Sequence, residues 1–245
     1  MMGYRHEEVK PYGTEGDKRE QIEEMFDNIA PEYDKYNYAV SLSIDRIWRR
    51  RAIFCLKKYN PKRVLDIATG TGDLAILINK VIKPECITGC DISEGMMAVA
   101  RRKCERRGYT NIKFEKEDCT ALSYPDNAFD AVTVSFGIRN FQHLEKSLCE
   151  MNRVLSPKGH LVILELSTPL KFPMKQFFHI YAKYVMPAVG KLISKDKKAY
   201  EYLPESIAAF PQGEVLKNAL EKAGFSKVEF HRFTGGICTF YLATK

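Results

Sequence analysis

Between Val64 and Asp73 the chain reads Val-Leu-Asp-Ile-Ala-Thr-Gly-Thr-Gly-Asp, an apolar strand that runs into a glycine turn and then a helix. In a wound parallel sheet such a turn stands beyond the carboxyl end of a strand, where ligands bind. Gly70 and Gly72 let the backbone bend and approach a ligand with no Cβ in the way. Nineteen residues after Gly72, the next apolar run, Cys86-Ile87-Thr88-Gly89-Cys90, ends in Asp91. An ionised carboxylate in that place makes short, strong bonds to a pair of neighbouring hydroxyls, which is what a ribose presents. The pattern is that of a nucleoside site. The plainer alternatives are a turn that only joins strand to helix, and an Asp91 that only helps Ser93 start the next helix.

Charge narrows the ligand. The full G-x-G-x-x-G of dinucleotide binders is missing, because Ala75 stands at the last glycine position, and Asp66 and Asp73 flank the turn. A pyrophosphate would meet like charge there, whereas a cationic ligand would not. S-Adenosylmethionine, with an ammonium and a sulfonium but no phosphate, fits this pattern better than NAD. No G-x-x-x-x-G-K-[ST] occurs, so nucleoside triphosphates match poorly.

These residues need a scaffold, and its period is legible. Over 21–60 apolar residues recur at helical spacing (Ile22, Met25, Phe26, Ile29, then Leu42, Ile44, Ile47, Trp48, Ile53, Leu56), broken by Pro31 and the tyrosines Tyr33, Tyr36 and Tyr38. After Pro61, strands expected at 63–67, 86–90, 112–115, 131–135 and 160–166 alternate with helices at 73–82, 94–107 and 144–155. Such alternation means βαβ crossovers and helices on both faces of a parallel sheet. A helix at 214–223 precedes strands at 227–233 and 238–243, which are too close in sequence to pair other than antiparallel. The expected fold is therefore α/β: a doubly wound, mostly parallel Rossmann-like sheet with an antiparallel C-terminal strand and a helical N-terminal lead-in. With 245 residues, 45% hydrophobic and 28% charged, one domain over 21–245 is the expectation. The polar first twenty residues, with Gly3, Gly13 and Gly16, are expected to fray. Seven scattered cysteines without a Cys-x-x-Cys pair read as reduced thiols, with neither a metal site nor a disulfide frame. Nothing at the start resembles a signal or transit peptide, so the cytoplasm is the default location.

Further motifs carry a resemblance. Ala30-Pro31-Glu32-Tyr33-Asp34, Ile44-Asp45-Arg46-Ile47-Trp48-Arg49, Ser135-Phe136-Gly137-Ile138-Arg139-Asn140-Phe141 and Tyr202-Leu203-Pro204-Glu205-Ser206-Ile207-Ala208-Ala209-Phe210-Pro211 accompany the acidic strand and glycine turn. Together, over 21–245, they resemble the ubiquinone/menaquinone biosynthesis C-methyltransferase family, within the S-adenosylmethionine-dependent methyltransferases. The resemblance implies transfer of the methyl of S-adenosylmethionine to a ring carbon of a prenylated quinol. Demethylmenaquinol is the leading acceptor, and a ubiquinone-pathway benzoquinol is the alternative. It also implies that Thr71 and Asp91 contact the methionine portion and the ribose, that Asp118 and Cys119 flank the adenine, and that Ser135 lies beside the cofactor; Asp66, Gly70 and Gly72 complete this set. Cys119 is expected to act through its backbone N–H and not as a reactive thiol.

Ring carbon is a poor nucleophile until a neighbouring hydroxyl ionises, and a free phenol titrates near ~10. A guanidinium beside the developing phenolate lowers that value. Arg139 is the candidate for this role, with Asn140 orienting the ring; the plainer reading of Arg139 is a surface residue at a helix start. His143 is a candidate general base, or a solvated histidine. Tyr33 and Tyr36 are candidates for an aromatic lid over the sulfonium, or ordinary core residues. In-line methyl transfer needs no metal.

The stretch 169–194 interleaves Phe172, Met174, Phe177, Phe178, Ile180, Tyr181, Tyr184, Val185 and Met186 with Lys171, Lys175, Lys183 and Lys191, and 171–200 holds seven lysines against one aspartate. Pro173 and Pro187 are expected to bracket a helix of about 13 residues, roughly 20 Å long, too short to span a bilayer. Its stripe of Met174, Phe177, Phe178, Tyr181 and Val185 suits an anionic membrane surface contacted through 169–198, a tunnel for an isoprenoid tail, or a core-facing helix. Two rival functions are a nucleic-acid methyltransferase, suggested by Arg49-Arg50-Arg51 and the basic run 101–107, and a non-catalytic binding scaffold. No Asp/Asn-Pro-Pro-Tyr/Phe element supports the first, so no nucleic-acid partner is expected, and the oligomeric state is left open.

Overall fold

The computed structural model describes residues 3–13, 15–193 and 197–245. Helices α1 (Arg5–Glu8), α2 (Lys18–Ile29), α3 (Tyr33–Ser41) and α4 (Ile44–Lys57) form the lead-in. Strand β1 (Arg63–Ile67), helix α5 (Asp73–Val81), strand β2 (Cys86–Asp91), helix α6 (Glu94–Glu105) and strand β3 (Ile112–Lys116) make the first wound half. Strand β4 (Phe129–Ser135), a 3-10 turn (Ile138–Asn140), helix α7 (Leu144–Val154) and strand β5 (Leu155–Leu166) begin the second. Helices α8 (Met174–Ile180), α9 (Met186–Ile193) and α10 (Lys197–Ala209) form an excursion before α11 (Glu214–Lys222), β6 (Ser226–Phe233) and β7 (Cys238–Thr244).

The seven strands form one sheet in the order β3-β2-β1-β4-β5-β7-β6. All pairings are parallel except those of β7, which runs antiparallel to both β5 and β6. Strand β1 shows why both faces are covered: Leu65 and Ile67 join the core beneath α7 and α11, while Val64 joins the one beneath α4 and α5. Side chains alternate across a strand, so a strand apolar at successive positions must be buried on both sides.

Two stretches bear on the expectations from sequence. Within the first twenty residues, the described ones make several anchoring contacts. Asp17 caps α2 by accepting from Arg19 N–H (2.8 Å). His6 is fully buried with its ring edge-on to Phe210 at 5.0 Å, and Lys18, also buried, donates from Nζ to the His6 carbonyl at 2.5 Å. The Glu7 carboxylate accepts Leu144 N–H (2.8 Å) at the start of α7. A polar composition disguised these anchors because Glu7 is paired with a distant segment and the His6 ring is held neutral: burial, then the Lys18 charge, pushes the His6 pKa down to about 3.

The second concerns Pro187, which does not end the helix that begins after Pro173. A π-helical turn at Tyr181–Val185, in which Met186 N–H reaches back five residues to the Tyr181 carbonyl, joins α8 to α9. Pro187 then falls just after the π-helical turn has shifted the hydrogen-bond register. Residues 194–196 of the basic stretch lie outside the described residues.

Candidate functional site

Strand order reverses between β1 and β4, whose next neighbours in the chain lie on opposite sides, and a crevice opens at their carboxyl ends. The glycine turn occupies it. Gly70 and Gly72 hold φ of 56° and 79°. A Cβ on Gly70 would meet nothing within 4 Å, so that position demands only the left-handed backbone; one on Gly72 would lie 2.9 Å from Ala100 Cβ and would prevent the turn from closing on α6.

Asp91 ends β2 and accepts Gly70 N–H on Oδ2 (2.8 Å) and Ser93 N–H on Oδ1 (3.0 Å). Burial pushes its pKa up to about 6 against the pull of those amides. Each carboxylate oxygen keeps a further acceptor position, so the acid can still take a pair of hydroxyls from the crevice. Asp66 is spent differently. Its oxygens take the hydroxyls of Thr69 (2.7 Å) and Thr133 (2.6 Å), bracing the turn from inside the sheet, and burial lifts its pKa to about 6 as well.

Thr71 donates to Asp34 Oδ1 (2.6 Å), and Lys103 bridges Asp34 and Asp73 at 2.6 Å each. Although burial works against it, Lys103 and then Arg49 hold the Asp73 carboxyl below its usual value. The electrostatic reading of the turn therefore needs adjustment: Asp73 already has a cation, and the negative field is that of four carboxylates (Asp34, Asp66, Asp73, Asp91) against Lys103 and Arg49.

Three cavities meet at this edge. The largest, about 310 Å³, runs from Asp91, Ile92 and Gly70 to Asp118, Cys119 and Asn140, with Arg19, Ile22 and Phe26 of α2 as its far wall. A second, about 230 Å³ and mostly apolar, lies between α3, α4 and the α8 to α9 segment. The third, only about 30 Å³, is the polar space enclosed by Asp34, Asp66, Thr71, Asp73 and Arg49. Tyr33 lines all three, and Phe136 separates the two large ones. A nucleoside fits the first: a carboxylate with spare acceptors on one side, apolar Ile67, Ile92 and Phe141 for a base, and a polar annex for a charged tail.

A family model described as the ubiE/COQ5 methyltransferase family matches residues 14–245. The chain belongs to the ubiE/COQ5 methyltransferase family. A demethylmenaquinone methyltransferase of Bacteroides fragilis is 59% identical over 245 residues, covering 100% of both chains. One of Porphyromonas gingivalis is 45% identical over 241 residues, 98% of each. Among solved structures, an S-adenosylmethionine-dependent methyltransferase from Thermotoga maritima superposes with a TM-score of 0.66 at 20% identity, covering 91% of this chain and 99% of that one, a likeness of fold. The protein is thus an S-adenosylmethionine-dependent methyltransferase of the Rossmann-like class.

In this methyltransferase Gly70, Asp91, Asp118, Cys119 and Ser135 line the large cleft, whereas Asp66 and Thr71 reach only the small polar annex, and Gly72 packs on α6. Asp118 pairs with Arg19 Nε at 2.7 Å and accepts the Thr120 amide (2.8 Å) and hydroxyl (2.7 Å). Cys119 Sγ lies 3.3 Å from Ser147 Oγ, and burial pushes its thiol up to about 12. Arg139 is no surface residue: 6% exposed, it pairs through Nη1 with buried Glu165 (2.8 Å) and lines the apolar cavity. Burial opposes its charge, yet Glu165, with the phenols of Tyr33 and Tyr202, outweighs that and holds its pKa above the usual value. Asn140 lines the large cleft and accepts the Tyr202 hydroxyl at 3.1 Å. His143 is exposed at the rim of the large cleft, away from the apolar cavity. Tyr36 is core, its hydroxyl directed at the Met186 carbonyl, so only Tyr33 of the two tyrosines reaches the site.

Sequence reading missed Glu165, Arg19 and the Asp45–Arg49 ion pair. A signal existed for two of them. Glu165 is an acid within the apolar run Leu161-Val162-Ile163-Leu164-Glu165-Leu166, at the ligand end of its strand, as Asp66 is. Asp45 and Arg49 are four apart on the helix face that also carries Trp48 and Ala52.

Proposed function

We propose that the chain methylates a ring carbon of a prenylated quinol, converting demethylmenaquinol to menaquinol. The observation that carries this reading is the apolar cavity that adjoins the cofactor cleft across Tyr33 and Phe136, with a buried arginine in its wall. Both relatives named above are called demethylmenaquinone methyltransferases.

S-Adenosylmethionine, when bound, supplies an electrophilic methyl on a sulfonium. The protein supplies the rest. Arg139, whose guanidinium is held by Glu165 in the wall of this cavity, donates to a ring hydroxyl there. Donation to an ionising phenol lowers the cost of forming phenolate, which sends electron density to the ring carbon. Glu165 fixes Arg139 through both side chain and backbone, accepting Nη1 (2.8 Å) and the Arg139 backbone N–H (3.2 Å). Asn140 offers its amide from the cofactor side. Tyr33, between the cavities, presents an aromatic ring to the reacting region and excludes water there.

The apolar residues of 172–186 divide in two. Phe178, Tyr181 and Met186 turn into the cavity, where an isoprenoid chain would lie, while Phe172 (81% exposed), Phe177 (64%), Ile180 (55%) and Tyr184 (60%) face outward beside Lys171, Lys175 and Lys183. Among the described residues no helix is long and apolar enough to cross a membrane. The outward set suits peripheral contact with an anionic lipid surface from which the quinol enters. Incubation with methyl-labelled S-adenosylmethionine and either reduced demethylmenaquinone or the ubiquinone-pathway benzoquinol tests the assignment. Label is expected in the naphthoquinol; label in neither quinol overturns the reading, and label in the benzoquinol alone moves it to the other pathway.

A further inference from the structure

The polar annex beside the glycine turn holds an unassigned cation. Asp34, Asp66 and Asp73 all line it, and among the described residues that line it Arg49 alone is cationic. Arg49 enters from α4, a different element from the turn. Its Nη1 pairs with Asp45, its Nε lies 3.4 Å from Ser135 Oγ, and its guanidinium carbon stands 5.0 Å from the centre of the Phe136 ring. Asp45 is itself buried and held by the Ser41 hydroxyl (2.6 Å). The guanidinium is thus held on two sides where it lines the annex, and its side chain is only 11% exposed.

The amino-acid end of S-adenosylmethionine carries one ammonium and one carboxylate. The aspartates of the annex favour the first over the second, even with Asp34 and Asp73 bridged by Lys103. A buried carboxylate needs a cation or several donors, and a guanidinium fork is the geometry that best serves it. We infer that Arg49 receives the carboxylate of the cofactor's amino-acid portion, and that Asp45 is a positioning residue that aims it. The same fork borders the apolar cavity, so seating the carboxylate also places a fixed positive group between cofactor and acceptor.

The test is calorimetric and contains no quinol, so its outcome is independent of which acceptor is methylated. Wild type and Arg49→Ala are titrated with S-adenosylmethionine and with its decarboxylated analogue, which keeps the sulfonium, nucleoside and amine. Arg49→Ala is expected to weaken S-adenosylmethionine by about 10- to 100-fold, the worth of a charge-assisted bond, and the analogue by less than about twofold. Arg49→Lys should recover part of the loss, and Asp45→Asn should reduce the preference for S-adenosylmethionine over its analogue without abolishing binding of either. If Arg49→Ala does not fold, Arg49→Gln is measured instead, and binding of the analogue reports an intact cleft. Equal weakening of both ligands, or of neither, overturns the inference; in the second case the carboxylate rests on the first-turn amides of α5.

Discussion

If Asp91 binds the ribose as a carboxylate, affinity for the cofactor must follow its ionisation. Its carboxyl sits at about 6 because burial raises it and the backbone amides of Ser93, Gly70 and Ile92 only partly compensate. A group titrating there is about 90% ionised at pH 7 and about 10% at pH 5, so affinity should fall roughly tenfold over that interval, with its midpoint near the same value. Asp91→Asn should remove the slope. It should also lower affinity at pH 7.5 by about 10- to 150-fold, since hydrogen bonds to a charged acceptor contribute roughly 1.5–3 kcal/mol and one amide N–H₂ must now face the Gly70 or Ser93 N–H. Stability should move the other way. A carboxyl whose folded pKa lies above its ordinary 3.8 contributes stability that is full below about pH 4 and lost as pH rises through about 6. The lift of about two pH units corresponds to about 3 kcal/mol of ionisation cost at pH 8, which Asn does not incur, though it loses one amide bond. Titration calorimetry from pH 5 to 8 and melting of both proteins without ligand measure the two effects. A wild-type affinity flat with pH, a slope that persists in Asp91→Asn, or a variant both weaker in binding and several kcal/mol less stable at pH 8 would refute the reasoning. Asp66→Asn is the control, because Asp66 titrates in the same range but is turned away from the large cleft.

Arg139→Ala should reduce turnover at least tenfold while leaving cofactor affinity nearly intact, because Arg139 lines the apolar cavity and not the large cleft; unchanged turnover removes it from the mechanism. Glu165→Ala should lower the melting temperature by roughly 10 °C, since it strands a buried guanidinium at a cost of about 3–5 kcal/mol. For His6 the folded pKa is depressed, so its contribution is full above about pH 6.5 and lost as pH falls toward 3; at pH 5 the loss is about 2 kcal/mol. His6→Leu should flatten that part of the stability profile, and an unchanged profile in urea melts would show that His6 is not held neutral. In flotation with anionic liposomes at low salt, Phe177→Ser with Tyr184→Ser should bind more weakly than wild type; failure of wild type to float at any salt rules out surface docking.

How the site is assembled explains what could be read in advance. The wound sheet was legible because it follows from a local rule: apolar runs of strand length alternate with helix-period stretches, and the crossovers leave few arrangements. Only the reversal of β7 between β5 and β6 required the strands to be placed, although two strands so close in sequence had to pair antiparallel. Gly70 and Asp91 were legible for the same reason, because both lie at strand ends whose position the alternation sets. His6 and Lys18 were not, since their burial depends on Phe210 and on the start of α7, more than a hundred residues away.

From sequence alone came the sheet, the helical lead-in, the cofactor class and the strand-end acid, because each rests on spacing within one or two elements. Tertiary structure alone decided which acids are already paired, that Arg139 is buried on Glu165, that Thr71 and Asp66 turn from the cleft, and that α4 brings Arg49 to the polar annex. The physical reason is one of range: hydrophobic period is written into neighbouring residues, whereas the charge state and direction of a polar side chain depend on whichever distant group the fold sets against it.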